Sequence, residues 1–182
     1  GDKRERILSA ATHVFAKKGF HATRVSEVAK AAGVADGTIY LYFESKDALL
    51  VALFEDRVER LLHTVRRELD KLSTAESKLQ RIIELQLGLL DAERDLAEVV
   101  TVSLRQSTRV LREHAPPKFL EYLHTISRVV EEGQASGELR EDLVAFEVAR
   151  AIFGALDGLA LTWALGPADP GRLKRSEEHT SE

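Results

Sequence analysis

Residues 36–46 read DGTIYLYFESK, placing two tyrosines, a threonine, a bare glycine and a lysine within about three helical turns. Hydroxyls donate to phosphate oxygens, aromatic and apolar groups lie against base edges and thymine methyls, and a residue without a side chain lets the backbone approach a duplex closely. The chemistry on offer is recognition of a polyanion, with no bond made or broken. A second set, Arg105, Arg109 and Arg112, falls at i, i+4 and i+7, one stripe of a helix, where planar guanidinium forks suit phosphate groups. The plain alternative for that stripe is a solvated face paired with Glu98, Glu113 or Glu121. No catalytic constellation emerges. His13, His21, His63, His114, His124 and His179 show no metal-ligand spacing, and the chain has no cysteine, glycine-rich phosphate loop or nucleophile elbow. The sequence therefore reads as a protein that is not an enzyme, with no metal site and no cofactor.

Those residues need a scaffold, and every long segment has helical rather than alternating period, so the expected fold class is all-α. A first helix over residues 3–18 carries Ile7, Leu8, Ala11, Val14 and Phe15 on one face and stops at Gly19. A short second helix, with Thr23 as its expected cap, repeats Val25, Val28, Ala29 and Ala32 before Gly33 ends it. The third, residues 36–43, turns Ile39 and Phe43 inward and leaves Gly37, Thr38, Tyr40 and Tyr42 facing out. Two short helices about a glycine turn make a helix-turn-helix, with the third helix in the recognition position. Longer helices are expected over 47–72, 75–90 (capped by Ser73 or Thr74), 95–114, 117–136 and 142–165.

At 182 residues, 44% hydrophobic and 31% charged, the chain can bury a core in one or two domains. Its net charge of −4 is unevenly spread: residues 1–47 carry eight Lys/Arg against six Asp/Glu, and the remainder eighteen against twenty-four. The N-terminal part is thus mildly basic, at +2, and the rest acidic, at −6. No apolar run approaches the roughly 20 residues that span a bilayer, and the absence of cysteine is compatible with a reducing compartment, so the expected location is the cytoplasm and no membrane partner is expected. With no methionine anywhere, Gly1 reads as the edge of a fragment, and the tail RSEEHTSE (residues 175–182) is what a common sequencing-adapter string encodes, which marks it as non-native.

The stretch VSEVAKAAGVADGTIYLYFESKDALL, with the preceding Gly19-Phe20, resembles the helix-turn-helix signature of the tetracycline-repressor (TetR) family of bacterial transcriptional regulators. The resemblance implies that Thr38, Tyr42 and Lys46 grip phosphates, that Gly37 and Tyr40 approach the bases, and that Arg24 and Ser26 touch the backbone or a base from the second helix. One departure is Ala35, where the family often has a capping serine. VSLRQSTRVLREH and IFGALDGLALTWALG resemble helices of the branch that controls fatty-acid degradation in response to long-chain acyl-CoA. That resemblance implies an acyl-CoA inducer, with Arg105, Arg109 and Arg112 at its phosphates and Leu87, Leu104, Phe119, Leu123, Phe153 and Trp163 around its chain, although each apolar residue reads equally as plain core. It also implies a homodimer sealed by the last two helices, with Gly154 and Gly158 permitting close approach and Ala151, Ala155 and Leu159 filling the seam.

The expected organisation is a helix-turn-helix DNA-binding domain over 1–46, a ligand-binding and dimerisation domain over 47–174, and the 175–182 tail. The expected function is a ligand-released repressor that binds a palindromic double-stranded DNA operator as a dimer. A family member regulating efflux or drug response through another apolar ligand is the first alternative, and a helical interaction module without DNA binding the second.

Overall fold

The structure, a computed structural model, describes residues 2–103 and 116–166, and every regular element among them is helical, as the periodicity predicts. In order these are α1 Lys3–Lys18, α2 Val25–Ala32, α3 Asp36–Tyr42, α4 Lys46–Leu69, α5 Ala75–Ala92, α6 Arg94–Glu98, a π-helical turn Val99–Ser103, α7 Pro116–Ser136 and α8 Ala145–Ala164. They divide into two compact units, Gly1–Arg57 with Glu93–Pro116, and Val58–Ala92 with Pro117–Glu182, so α4 contributes to both.

In the first unit α1 begins where the Asp2 carboxylate accepts the Arg4 N–H at 3.0 Å and ends where the Gly19 N–H reaches the Phe15 carbonyl at 2.8 Å. Its stripe of Ile7, Leu8, Ala11, Val14 and Phe15 is buried, as are Val28 and Ala29 of α2, Ile39 of α3 and Leu49, Leu50 and Leu53 of α4. Removing each large apolar side chain from water stabilises the head by about 1.5–3 kcal/mol. The segment of α6 and the π turn also packs on α1, burying Leu96, Ala97, Val99 and Thr101. Thr23 does not cap α2 as expected. Its hydroxyl donates to the Gly19 carbonyl at 2.8 Å, while α2 starts two residues later, with the Glu27 carboxylate turned back to the Arg24 N–H at 2.9 Å. The helix expected over 95–114 is, in its described part, α6 and the π turn; residues 104–115 lie outside the described range.

The second unit is built from the later part of α4 with α5, α7 and α8 around Leu62, Val65, Ile82, Tyr122, Ile126, Val129 and Ala149. Thr74 takes the cap of α5: its Oγ accepts the Ser77 N–H at 3.2 Å. Glu138 reinforces that end by accepting the Ala75 N–H at 2.9 Å. Helix α8 begins at Ala145, later than its apolar pattern suggests, because Gln134 Nε2 donates to the carbonyls of both Arg140 and Leu143 at 2.8 Å and holds the preceding turn open.

Gly133 sits where a Cβ would lie 2.6 Å from Leu139 Cδ1 and 2.7 Å from Ala75 Cβ, whereas a Cβ at Gly88 of α5 meets nothing within 4 Å. Gly133→Ala should therefore lower unfolding free energy by about 1–3 kcal/mol through overpacking. Gly88→Ala should raise it by about 0.5–1 kcal/mol through helix propensity. Urea titrations of the two variants check both signs.

Candidate nucleic-acid interface

The helix-turn-helix is set by its turn. Gly33 adopts φ +66° and ψ +40°, the left-handed region that a side chain disfavours, and its N–H reaches the Lys30 carbonyl at 3.2 Å while the Val34 N–H reaches Ala29 at 3.0 Å. This pair of bonds is a Schellman motif and satisfies the last carbonyls of α2. Ala35 follows in extended backbone without a side-chain cap, and α3 begins at Asp36. Ile39 and Phe43, i and i+4, are buried to 1% and 5% exposure. The opposite side of the helix is consequently open: Tyr40 is 57%, Leu41 82% and Tyr42 42% exposed. Among the described residues a Cβ at Gly37 would meet nothing within 4 Å, so none of their contacts requires glycine there.

Among the other expected DNA contacts, Arg24 and Ser26 are exposed and Thr38 is half-buried. Lys46, expected at a phosphate, also has partners within the chain. Its Nζ donates to the carbonyls of Phe20 at 2.8 Å, Thr23 at 3.0 Å and His21 at 3.3 Å, and lies 4.6 Å from the centre of the Phe20 ring. Sequence reasoning passed over Leu41 as an apolar residue, yet its place two residues from both Ile39 and Phe43 already set it on the far side of the helix. It also missed what holds the two flanking helices. Arg4 bridges to Asp56 at 3.6 Å and Glu5 to Arg57 at 3.8 Å, between α1 and α4, and His13 Nδ1 lies 2.7 Å from Asp95 Oδ2, between α1 and α6. Around α2 the Arg24 N–H, and after it the Lys18 ammonium, hold the Glu27 carboxyl below its ordinary value near 4.5.

The remaining expected sites fall in two groups. Leu104, Arg105, Arg109 and Arg112 lie outside the described residues. In the second unit Leu87, Leu123 and Trp163 are buried, and Phe119 and Phe153 meet edge to face with ring centres 4.6 Å apart. Among these apolar groups the Tyr122 hydroxyl donates to Gln86 Oε1, a polar pair no local pattern announced, and burial pushes the Tyr122 phenol up. Along α8, Ala151, Gly154, Ala155, Gly158 and Leu159 are all exposed, and Val144 and Thr162 continue the same stripe. Among the described residues no group of His, Asp and Glu is placed to hold a metal ion, and no helix is long and apolar enough to cross a membrane.

Comparison with known proteins gives two adjoining matches: residues 7–53 match the family described as bacterial regulatory proteins, tetR family, and residues 54–169 the YsiA-like protein C-terminal region. The Fatty acid metabolism regulator protein of Bacillus subtilis (strain 168) is 36% identical over 160 residues, which cover 88% of this chain and 82% of that protein. Among solved structures, the transcriptional regulator FadR of Bacillus subtilis in complex with stearoyl-CoA superposes with a TM-score of 0.88 at 35% identity, covering 94% of each chain. The fatty acid degradation regulator FadR of Bacillus halodurans superposes with a TM-score of 0.90 at 33% identity, covering 98% of this chain and 94% of that one.

A depressed carboxyl in the folded state adds stability that is present above the ordinary value near 4.5 and is lost as pH falls through the lower folded value. In Glu27→Gln, which keeps an acceptor for the Arg24 N–H but no charge, the urea midpoint should therefore fall less steeply below pH 4.5 than in the parent. Parallel profiles would remove Glu27 from the acid response.

Proposed function

The chain belongs to the TetR family of bacterial regulators, and on that premise we propose that it is a homodimeric repressor of fatty-acid degradation genes, released from its operator by long-chain acyl-CoA. The observation that carries the DNA-binding part is the open face of α3, on which Tyr40, Leu41 and Tyr42 stand exposed beside Gly37 while Ile39 and Phe43 anchor the helix. Gly37, Tyr40 and Leu41 take the base edges and thymine methyls, and Thr38, Tyr42, Arg24 and Ser26 the sugar-phosphate backbone. The protein is a cytoplasmic regulator with no reaction of its own.

A single short helix reads too few bases for specificity, and two copies related by a two-fold axis read successive major grooves about 34 Å apart. The uncovered stripe of α8 supports this assembly: Ala151, Gly154, Ala155 and Gly158 present almost no side chain, so two such helices approach closely, with Leu159 at the edge. The helix-turn-helix domain over 1–46 then reads DNA, and the segment over 47–174 binds ligand and forms the dimer.

The inducer assignment is supported by the similarity to fatty-acid regulators, one of them solved with stearoyl-CoA. The apolar interior around Leu87, Leu123, Phe119, Phe153 and Trp163 suits an acyl chain, and the spacing of Arg105, Arg109 and Arg112 suits the phosphates of its coenzyme A head. Release requires that the ligand prefer the arrangement of the two heads that cannot span the operator, since equal affinity for both arrangements shifts nothing. Helix α4, contributing to both units, is the lever.

Operator binding in a fluorescence-anisotropy titration tests the reading directly, with stearoyl-CoA expected to release the duplex and free stearate much less effective. Arg105→Ala and Arg109→Ala should blunt release and leave operator affinity intact; equal release by the free acid would remove the arginines from the phosphate-holding role. For base reading, Tyr40→Ala and Leu41→Ala should each relax preference at one position of the half-site by about 1–3 kcal/mol. Binding selections on randomised half-sites report this, and a uniform loss on every sequence would move the residue to the backbone-contact group.

A further inference from the structure

We infer that Glu59 and Arg66 of α4, with Lys118 and Glu121 of α7, are positioning residues that fix the register of α4 within the ligand-binding unit, so that the lever follows the ligand; this rests on the reading of a ligand-released repressor given above. The four charges alternate in sign along one chain of contacts. Lys118 Nζ donates to Glu59 Oε2 across the two helices and lies 3.5 Å from Glu121 Oε2 on its own helix, while Arg66 Nη2 donates to the other oxygen of Glu121 at 2.5 Å. Glu121 therefore has a cation at each of its oxygens, and each helix contributes one acid and one base. The charges respond to one another accordingly: Arg66 before Lys118 holds the Glu121 carboxyl below its ordinary value near 4.5, and Glu59 before Glu121 raises Lys118 above its ordinary value near 10.5.

The placement of these charges gives the network its consequence. Glu59 and Arg66 are seven residues apart, about two turns, and so share a face of α4. Between them Leu62 and Val65 are buried in the same core as Tyr122 and Ile126 of α7. Apolar burial is non-directional and follows area, so it holds α4 down firmly but resists sliding only weakly, and packed helices slide in just this way in ligand-driven transitions. Two ion pairs spaced two turns apart oppose both sliding and rolling, because either motion lengthens at least one of them. Their partly exposed setting limits what they add to overall stability, so their effect falls on which arrangement α4 adopts. A ligand releases DNA only in so far as the unit that binds it specifies where α4 lies. Helix α4 begins at Lys46, directly after the turn that ends α3, so its register here is carried along the chain toward the recognition helix.

The test measures operator affinity with and without saturating stearoyl-CoA in the parent, in Arg66→Glu, in Glu121→Arg and in the exchange that carries both. The operator is one selected from random duplexes by the parent protein, and stearoyl-CoA calorimetry and circular dichroism melting run alongside. Each single reversal sets like charges against each other at the Arg66–Glu121 contact, so the ratio of the two operator affinities should fall about fivefold or more while stearoyl-CoA affinity stays within about threefold of the parent. The exchange places both acids on α4 and both bases on α7, which restores opposite charge at each contact between the helices, and should return the ratio to within about twofold of the parent. Parent-like ratios in both reversals overturn the network, and so does a loss that the exchange leaves uncorrected, since that marks a merely structural defect. Should a reversal fail to fold, Arg66→Gln and Glu121→Gln decide in its place: a lowered ratio in both supports the network and parent-like ratios refute it. A parent protein that binds no duplex, or that stearoyl-CoA does not release, would overturn the repressor reading and this inference with it, whereas normal parent release beside parent-like variants overturns the network only.

Discussion

The seven residues of α3 are far too few to stay helical in water alone, where isolated helices shorter than about 12–15 residues are marginal. The burial of Ile39 and Phe43 is the constraint on which the rest depends. Two side chains at i and i+4 fix the rotation of the helix about its axis, so the same burial that stabilises α3 also decides which face remains open. Had the inward pair fallen one position away, Tyr40 would be core and Ile39 would face solvent. The packing that stabilises this head is consequently the same packing that leaves Tyr40, Leu41 and Tyr42 exposed.

Around that anchor, the head closes its orphan backbone groups with a glycine turn and with side chains both near and distant in sequence. Gly33 ends α2 through its left-handed backbone, Glu27 closes the start of the same helix, and Lys46 donates to the Phe20 and Thr23 carbonyls between α1 and α2. A helix-turn-helix this small exposes many helix ends per residue, so capping carries an unusually large share of its order. The ion pairs between α1 and α4 are wider, at 3.6 and 3.8 Å, and add orientation more than stability.

The second unit shows the opposite balance. Its core is largely apolar, with aromatic edges in contact and the Tyr122–Gln86 pair among them, while one helix keeps a stripe of small residues uncovered. An apolar interior of this kind suits a lipid chain, and an uncovered small-residue stripe suits a second copy. The two properties sit on different faces of α8: Leu156, Ala160 and Trp163 point inward, and Ala151, Ala155 and Gly158 outward.

What the sequence determined by itself was whatever repeats over three or four residues. The helices, the glycine turn, the inward Ile39 and Phe43, the outward Tyr40 and Tyr42 and the small-residue stripe of α8 were all legible, because side-chain direction on a helix follows from spacing alone. The match of GTIYLYFESK to a family signature then supplied what the head does. Helix ends were less legible, as Thr23 and the late start of α8 show, because several nearby hydroxyls and carboxylates compete for the same few N–H groups. Only tertiary structure decided the partners of Lys46, the meeting of His13 with Asp95 and the pairing of Tyr122 with Gln86, which join residues 26, 82 and 36 positions apart. No local period encodes such contacts. They are fixed by where the packed helices bring their ends, as the loop carbonyls around Lys46 show.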